Sequence, residues 1–146
     1  MAAVKSRNTK PEVFVRKLLF SMGFRYRLYD QKLPGKPDIV LRKYKTVIFV
    51  NGCFWHMHRG CSHFKLPTTN TPFWEKKLLQ NKLRDASVHQ TLLDTGWSVL
   101  VVWECACKKS TYLPLQLKIK QLLLDPSPSK YSEIGLDEVR STPKNP

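Results

Sequence analysis

Apolar residues Phe14, Val15, Leu18, Leu19 and Met22 recur at helical spacing behind Thr9-Lys10-Pro11-Glu12. In that opening Thr9 can cap, Pro11 suits the first turn, and Glu12 stands where a capping-box carboxylate reaches back. The pattern predicts a helix over 9–22, stopped by Gly23. The period then shortens. Phe24, Tyr26 and Leu28 alternate with Arg25, Arg27 and Tyr29, which reads as a strand with one basic face. After a loop over 32–37, Asp38 opens a second strand, IVLR, and a turn follows around Lys43 and Tyr44. TVIFV makes a third, largely buried strand ending at Val50. Thr71 and Pro72 cap a long helix whose buried stripe is Leu78, Leu79, Leu83, Leu92 and Leu93, ending at Gly96. Residues 97–103 read as a fourth strand and 115–124 as a last helix. From Pro126 onward the chain is Pro/Ser-rich with little to bury, so a folded domain over 1–125 and a mobile tail over 126–146 are expected. Helix, three strands, long helix, strand is the order of an α/β domain around a mixed central sheet.

Charge narrows the function. The 146 residues carry 25 Lys and Arg against 11 Asp and Glu, a net +14. The segment from Pro126 is neutral, with Lys130, Arg140 and Lys144 against Glu133, Asp137 and Glu138, so the folded body is the polycation. Such a body usually meets a polyanion, nucleic acid first; a surface tuned only for solubility is the plainer alternative. No apolar run approaches the roughly 18–20 residues of a membrane span, and the N-terminus lacks a secretory apolar segment. A soluble, intracellular protein is expected, and in a reducing compartment its four cysteines favour metal ligation over bridging.

Residues 51–61, NGCFWHMHRGC, concentrate the chemistry. Cys53, His58 and Cys61 follow C-x4-H-x2-C and can hold one tetrahedral ion. A fourth ligand has to come from elsewhere. Cys105 or Cys107, at the end of the fourth strand, can supply it, and so can His63; small buried thiols acting as hydrophobes are the alternative. His56, two residues before His58, would face another way and is free for acid/base work. Asp38 can bind Mg²⁺ or simply accept backbone bonds in a Pro-Asp turn, and Glu12 is either a cap or a site carboxylate. Phe54, Trp55 and Trp74 either pack in the core or stack on bases.

With these residues in view, the chain resembles the very-short-patch mismatch repair endonucleases, the bacterial Vsr-type family of the PD-(D/E)xK nuclease superfamily. LPGKPDIV, VIFVNGCFWHMH, the Thr-x-x-Phe-Trp of TNTPFW, and GWSVLVVWEC carry the likeness over about residues 5 to 108. The resemblance implies a restriction-endonuclease-like α-β-β-β-α-β core, so that 1–125 is an endonuclease domain. It implies Mg²⁺ on Asp38 and the main-chain carbonyl of Val50, His56 as the catalytic histidine, and Glu12 assisting. Zinc on Cys53, His58, Cys61 and Cys105 is implied too, with Phe54, Trp55 and Trp74 entering the DNA stack. The wider fold has an acidic residue and a lysine where this chain has Ile48-Phe49-Val50, hence the main-chain ligand. Family members carry Thr-His where Val50-Asn51 stand, and Asn51 has no acid/base chemistry, which leaves Asp38 with His56. The activity implied is a Mg²⁺-dependent nick 5′ of the thymine in a T·G mismatch, the product of 5-methylcytosine deamination. A monomer on double-stranded DNA in the bacterial cytoplasm is expected, linked in function to a cytosine-5 methyltransferase and mismatch-repair proteins. The competing readings are a non-catalytic zinc DNA-binding module and a nuclease of related fold with another DNA substrate.

Overall fold

The computed structural model describes residues 7–140. Helix α1 spans Lys10–Ser21: Thr9 Oγ1 accepts from the Glu12 N–H at 3.3 Å, and Gly23, at φ +87°, turns the chain away. The strand expected from Phe24 shrinks to β1, Arg27–Leu28, for two local reasons. The Phe24 N–H is taken by the Leu19 carbonyl in the helix stop, and Tyr29 adopts a left-handed φ of +51° that ends any extension. β2 (Ile39–Leu41) and β3 (Thr46–Asn51) follow, joined by a 3-10 turn at Arg42–Tyr44.

The sheet has the order β1-β2-β3-β4-β5, with β4 at Ser98–Trp103 and β5 at Tyr131–Ile134. The first three strands form an antiparallel meander, whereas β3–β4 and β4–β5 are parallel. Parallel neighbours need crossovers, which helices α2 (Thr71–Asp94) and α3 (Tyr112–Leu124) supply. Val15, Leu18, Ile48, Leu100, Leu115 and Ile119 close one face of the sheet; Leu92, Trp97, Val47, Val99 and Val101 close the other. Burial on both faces explains why β3 and β4 read as continuous apolar runs.

Three expectations are corrected. In α2 the cap is Asn70, in the left-handed region and without a side-chain cap bond; Thr71 is the first helical residue and its hydroxyl donates to the Pro67 carbonyl at 2.7 Å. Of the expected stripe on α2 only Leu78 and Leu92 are buried, while Leu79 and Leu83 are 43% and 63% exposed. A helix of 24 residues runs about 36 Å, longer than the sheet it crosses, so its N-terminal half leans on the loop after β3 instead. The third correction is the tail. Far from having little to bury, it supplies β5 and α4 (Leu136–Arg140), placing Ile134 and Val139 in the core and Glu133 on the indole N–H of Trp103 at 2.8 Å. The part of the expected tail over 141–146 lies outside the described residues. Among the described residues no helix is long and apolar enough to cross a membrane.

Candidate active site and metal centre

Because β2 runs antiparallel to β3, Asp38, the residue before β2, lies beside the end of β3. Its Oδ2 accepts the Val50 N–H at 2.7 Å. Burial is the largest cause pushing its pKa up to about 7. The Val50 bond, His56 and Arg16 pull the other way, and nearby Glu12 adds to the rise. Glu12, 3% exposed, is more than a cap: its carboxylate accepts from the Asn8 N–H at 3.0 Å, from Arg16 Nη2 at 3.1 Å and from the Tyr29 hydroxyl. It therefore stands in the wall of the cleft, tied to α1, to the residues before it and to the chain after β1.

His56 completes the group. Its Nδ1 lies 2.6 Å from Asp85 Oδ2. A cavity of about 820 Å³ at the ends of β3 and β4 is lined by Glu12, Asp38, Val50, His56, Trp55 and Asp85 among others. In open α/β sheets the carboxyl ends of the strands are where sites form. Asp85 is the residue that sequence reasoning missed, and a signal for it existed. It falls seven residues after Leu78 and seven before Leu92, on the buried stripe of α2, where an unpaired carboxylate would be costly.

Beneath one wall of the cleft, Cys53, His58, Cys61 and Cys105 bring their ligand atoms within 4.8 Å of one another. Cys105 Sγ and His58 Nδ1 are 3.6 Å apart. Ligand bonds of about 2.0–2.3 Å set tetrahedral edges of about 3.3–3.8 Å, so the set fits one zinc-sized ion. The surroundings orient the ligands: the His58 ring stacks on Trp103 at 4.0 Å, and the Leu136 N–H donates to Cys105 Sγ at 3.3 Å. The hydrogen bond from the Cys53 thiol draws the Cys105 pKa down, while that same bond and burial push Cys53 up. Cys107 stands apart, its pKa raised to about 12 by burial and its thiol on the Trp103 carbonyl at 3.7 Å. His63 belongs to a second candidate group with Cys53 and Glu104. Two of those three donors are harder and one is exposed, so the Cys105 set suits zinc better.

Met57 separates the two functions of the loop. It takes φ +55° between His56 and His58 and so sends one histidine to the cleft and the other to the cysteines. The aromatics cluster at the cleft rim. The Phe54 ring lies 5.1 Å from Trp55 and 5.6 Å from Trp74, and Trp55 lies 6.0 Å from Trp74, all edge to face and half-buried. Phe64 and Phe73, the latter 60% exposed, extend the cluster. These two were also missed. Phe73 precedes Trp74 and Phe64 follows His63, so a signal lay in those neighbours, but a Phe by itself reads as core.

Carboxylates and a histidine sharing one cleft, with a Cys/His cluster built into the adjoining loop, define an α/β protein of the hydrolytic-enzyme class. Its relatives narrow that class. Residues 1–63 match the model of the family DNA mismatch endonuclease Vsr. The type II nicking enzyme V.NmeAIP of Neisseria meningitidis is 51% identical over 108 residues, 74% of this chain and 76% of that protein. The DNA mismatch endonuclease Vsr of Escherichia coli K12 is 44% identical, over 74% of this chain and 69% of its own length. The type II nicking enzyme V.XorIIP of Xanthomonas oryzae is 43% identical over 127 residues, 87% of this chain and 90% of that protein. The chain belongs to the Vsr family of DNA mismatch endonucleases.

Proposed function

We propose that the protein is a Mg²⁺-dependent DNA endonuclease that nicks one strand on the 5′ side of the thymine in a T·G mismatch. The observation that carries this reading is the convergence of Asp38 and the His56–Asp85 pair in a cleft rimmed by Phe54, Trp55 and Trp74. Asp38 fits a hard cation: its carboxylate is buried and, among the described residues, accepts one backbone N–H, from Val50. Val50 turns its N–H towards Asp38. In an extended strand the carbonyl of the same residue faces that side too, giving a second oxygen. Bound there, Mg²⁺ would neutralise charge on the phosphate and acidify water.

The protein's own groups do the rest. With Nδ1 held by Asp85, the His56 ring keeps Nε2 for proton transfer at the cleft, and the carboxylate fixes tautomer and ring direction. Glu12 adds negative charge near Asp38 and anchors the residues before α1 over the same cleft. The aromatic cluster enters the base stack, and a mismatched step has less pairing and stacking to lose than an intact one. Zinc on Cys53, His58, Cys61 and Cys105 holds the loop that presents both the histidine and the wedges. The core is restriction-endonuclease-like, acts as one domain on double-stranded DNA, and serves repair of deaminated 5-methylcytosine alongside a cytosine-5 methyltransferase.

A magnesium titration on labelled mismatched duplex tests the reading. Nicking that rises with Mg²⁺ and vanishes in Asp38→Ala supports it. Binding without any nick would instead favour a zinc-containing DNA-binding module.

A further inference from the structure

Three side chains on one face of α2 reach three consecutive residues of the loop after β3. Asn81 Nδ2 donates to the Trp55 carbonyl at 3.3 Å, Lys82 Nζ donates to the Met57 carbonyl at 3.3 Å, and Asp85 holds the ring of His56 at 2.6 Å. Positions 81, 82 and 85 span little more than one helical turn, so a single rigid element grips the arc from Trp55 to Met57.

The arc needs gripping. Met57 is a buried, non-glycine residue at φ +55°, a conformation that costs about 1–2 kcal/mol and persists only where its surroundings over-determine it. Relaxation of that residue would rotate the peptide between His56 and His58 and swing the imidazole out of the cleft. Lys82 is the natural restraint. It is half-buried, and its ammonium sits on the carbonyl of the strained residue itself.

Its position also says what Lys82 does not do. It is absent from the lining of the large cleft that holds Asp38 and Glu12. Instead it lines a smaller adjoining cavity of about 200 Å³ that shares His56, Asp85 and His89 with the cleft and adds Trp103 and Glu133. Its ammonium is engaged with the loop carbonyl of Met57 rather than part of the large cleft's lining.

We infer that Lys82, seconded by Asn81, is a positioning residue that locks the left-handed turn at Met57 and thereby aims His56 into the cleft. The kinetic consequence rests on the nuclease reading above; the structural consequence does not. Lys82→Met keeps the length and apolar stem and removes the donor, while Lys82→Arg keeps a donor.

The test uses the zinc-loaded full chain with T·G duplex. Lys82→Met is expected to slow single-turnover nicking about tenfold or more, because small misplacements of an acid/base group are that damaging, while duplex affinity stays within about twofold. Amide hydrogen exchange over residues 54–58 should quicken about tenfold, zinc content should not change, and Lys82→Arg should restore both rate and protection. Asn81→Ala, a milder loss of the same grip, should quicken exchange in the same segment. Wild-type exchange over 54–58 in both variants would overturn the inference. So would loss of zinc in Lys82→Met, since the lysine would then serve the metal centre rather than the histidine. A wild-type chain that fails to nick would sink the proposed function, and the exchange measurement would still decide the inference.

Discussion

Asp38 carries an unusual proton balance for an acidic group. Burial is the largest cause of its rise to about 7, and the Val50 N–H offsets it only in part. A carboxyl that titrates near 3.8 when exposed and near 7 when folded binds more proton in the native state between those values. Magnesium-free protein should therefore lose stability as pH rises from about 4 to about 7 through this residue. Asp38→Asn removes the penalty and is expected to stabilise the magnesium-free, zinc-loaded protein at pH 8 by about 1–3 kcal/mol, the shift being discounted for partial exposure. The same variant should abolish nicking yet keep its affinity for duplex, since it loses a metal ligand and not a cation. Melting at pH 5 and pH 8 beside a single-turnover assay checks both; a destabilised variant that still nicks would contradict this account of Asp38. At this scale the sequence was informative wherever chemistry was local. Asp38, His56 and Glu12 stand in short, dense motifs, and the structure brings all three to one cleft. Asp85 reaches His56 across 29 residues, and no local pattern records a partner that distant.

Helix α2 does more than one job along its length. The C-terminal end covers the sheet through Leu92, the N-terminal turns carry Trp74 to the aromatic cluster, and the middle carries Asp85 to His56. Periodicity predicted the helix correctly, but not that Leu79 and Leu83 would stay in solvent, because the pattern does not say where the sheet ends. The loop after β3 depends on the Cys/His cluster in the same way. Structural zinc can contribute about 10 kcal/mol or more of folding energy, so Cys105→Ser should lose metal and expose the loop, whereas Cys107→Ser should keep one zinc per chain. Elemental analysis of the two variants separates them; equal metal in both would remove Cys105 from the site. β5 was the least legible element. Tyr131–Ile134 is short, follows Pro and Ser, and becomes a strand only when β4 offers its edge. Ending the chain at residue 129 removes buried Ile134 and Val139, a loss of about 3 kcal/mol or more at the usual value of a buried apolar side chain. A thermal melt that does not move on truncation would show that this layer adds nothing.

The whole molecule combines a sequence-blind attraction with a site that selects. The +14 charge supplies the first, so affinity for any duplex should fall steeply with added salt, with a similar slope for matched and mismatched DNA. On the proposed reading, the aromatic cluster and the cleft would supply the second. Wedge insertion is cheapest where pairing is already weak, so discrimination should appear in the nicking rate more than in the salt slope. The most direct measurement is single-turnover nicking, with and without Mg²⁺, of paired duplexes that differ only in T·G or T·A at one position, the nick being mapped to the nucleotide. A Mg²⁺-dependent nick immediately 5′ of the mismatched thymine, much faster than any cut in the T·A duplex, is expected. Equal cleavage of the two duplexes, or a nick placed elsewhere, would contradict the proposed function.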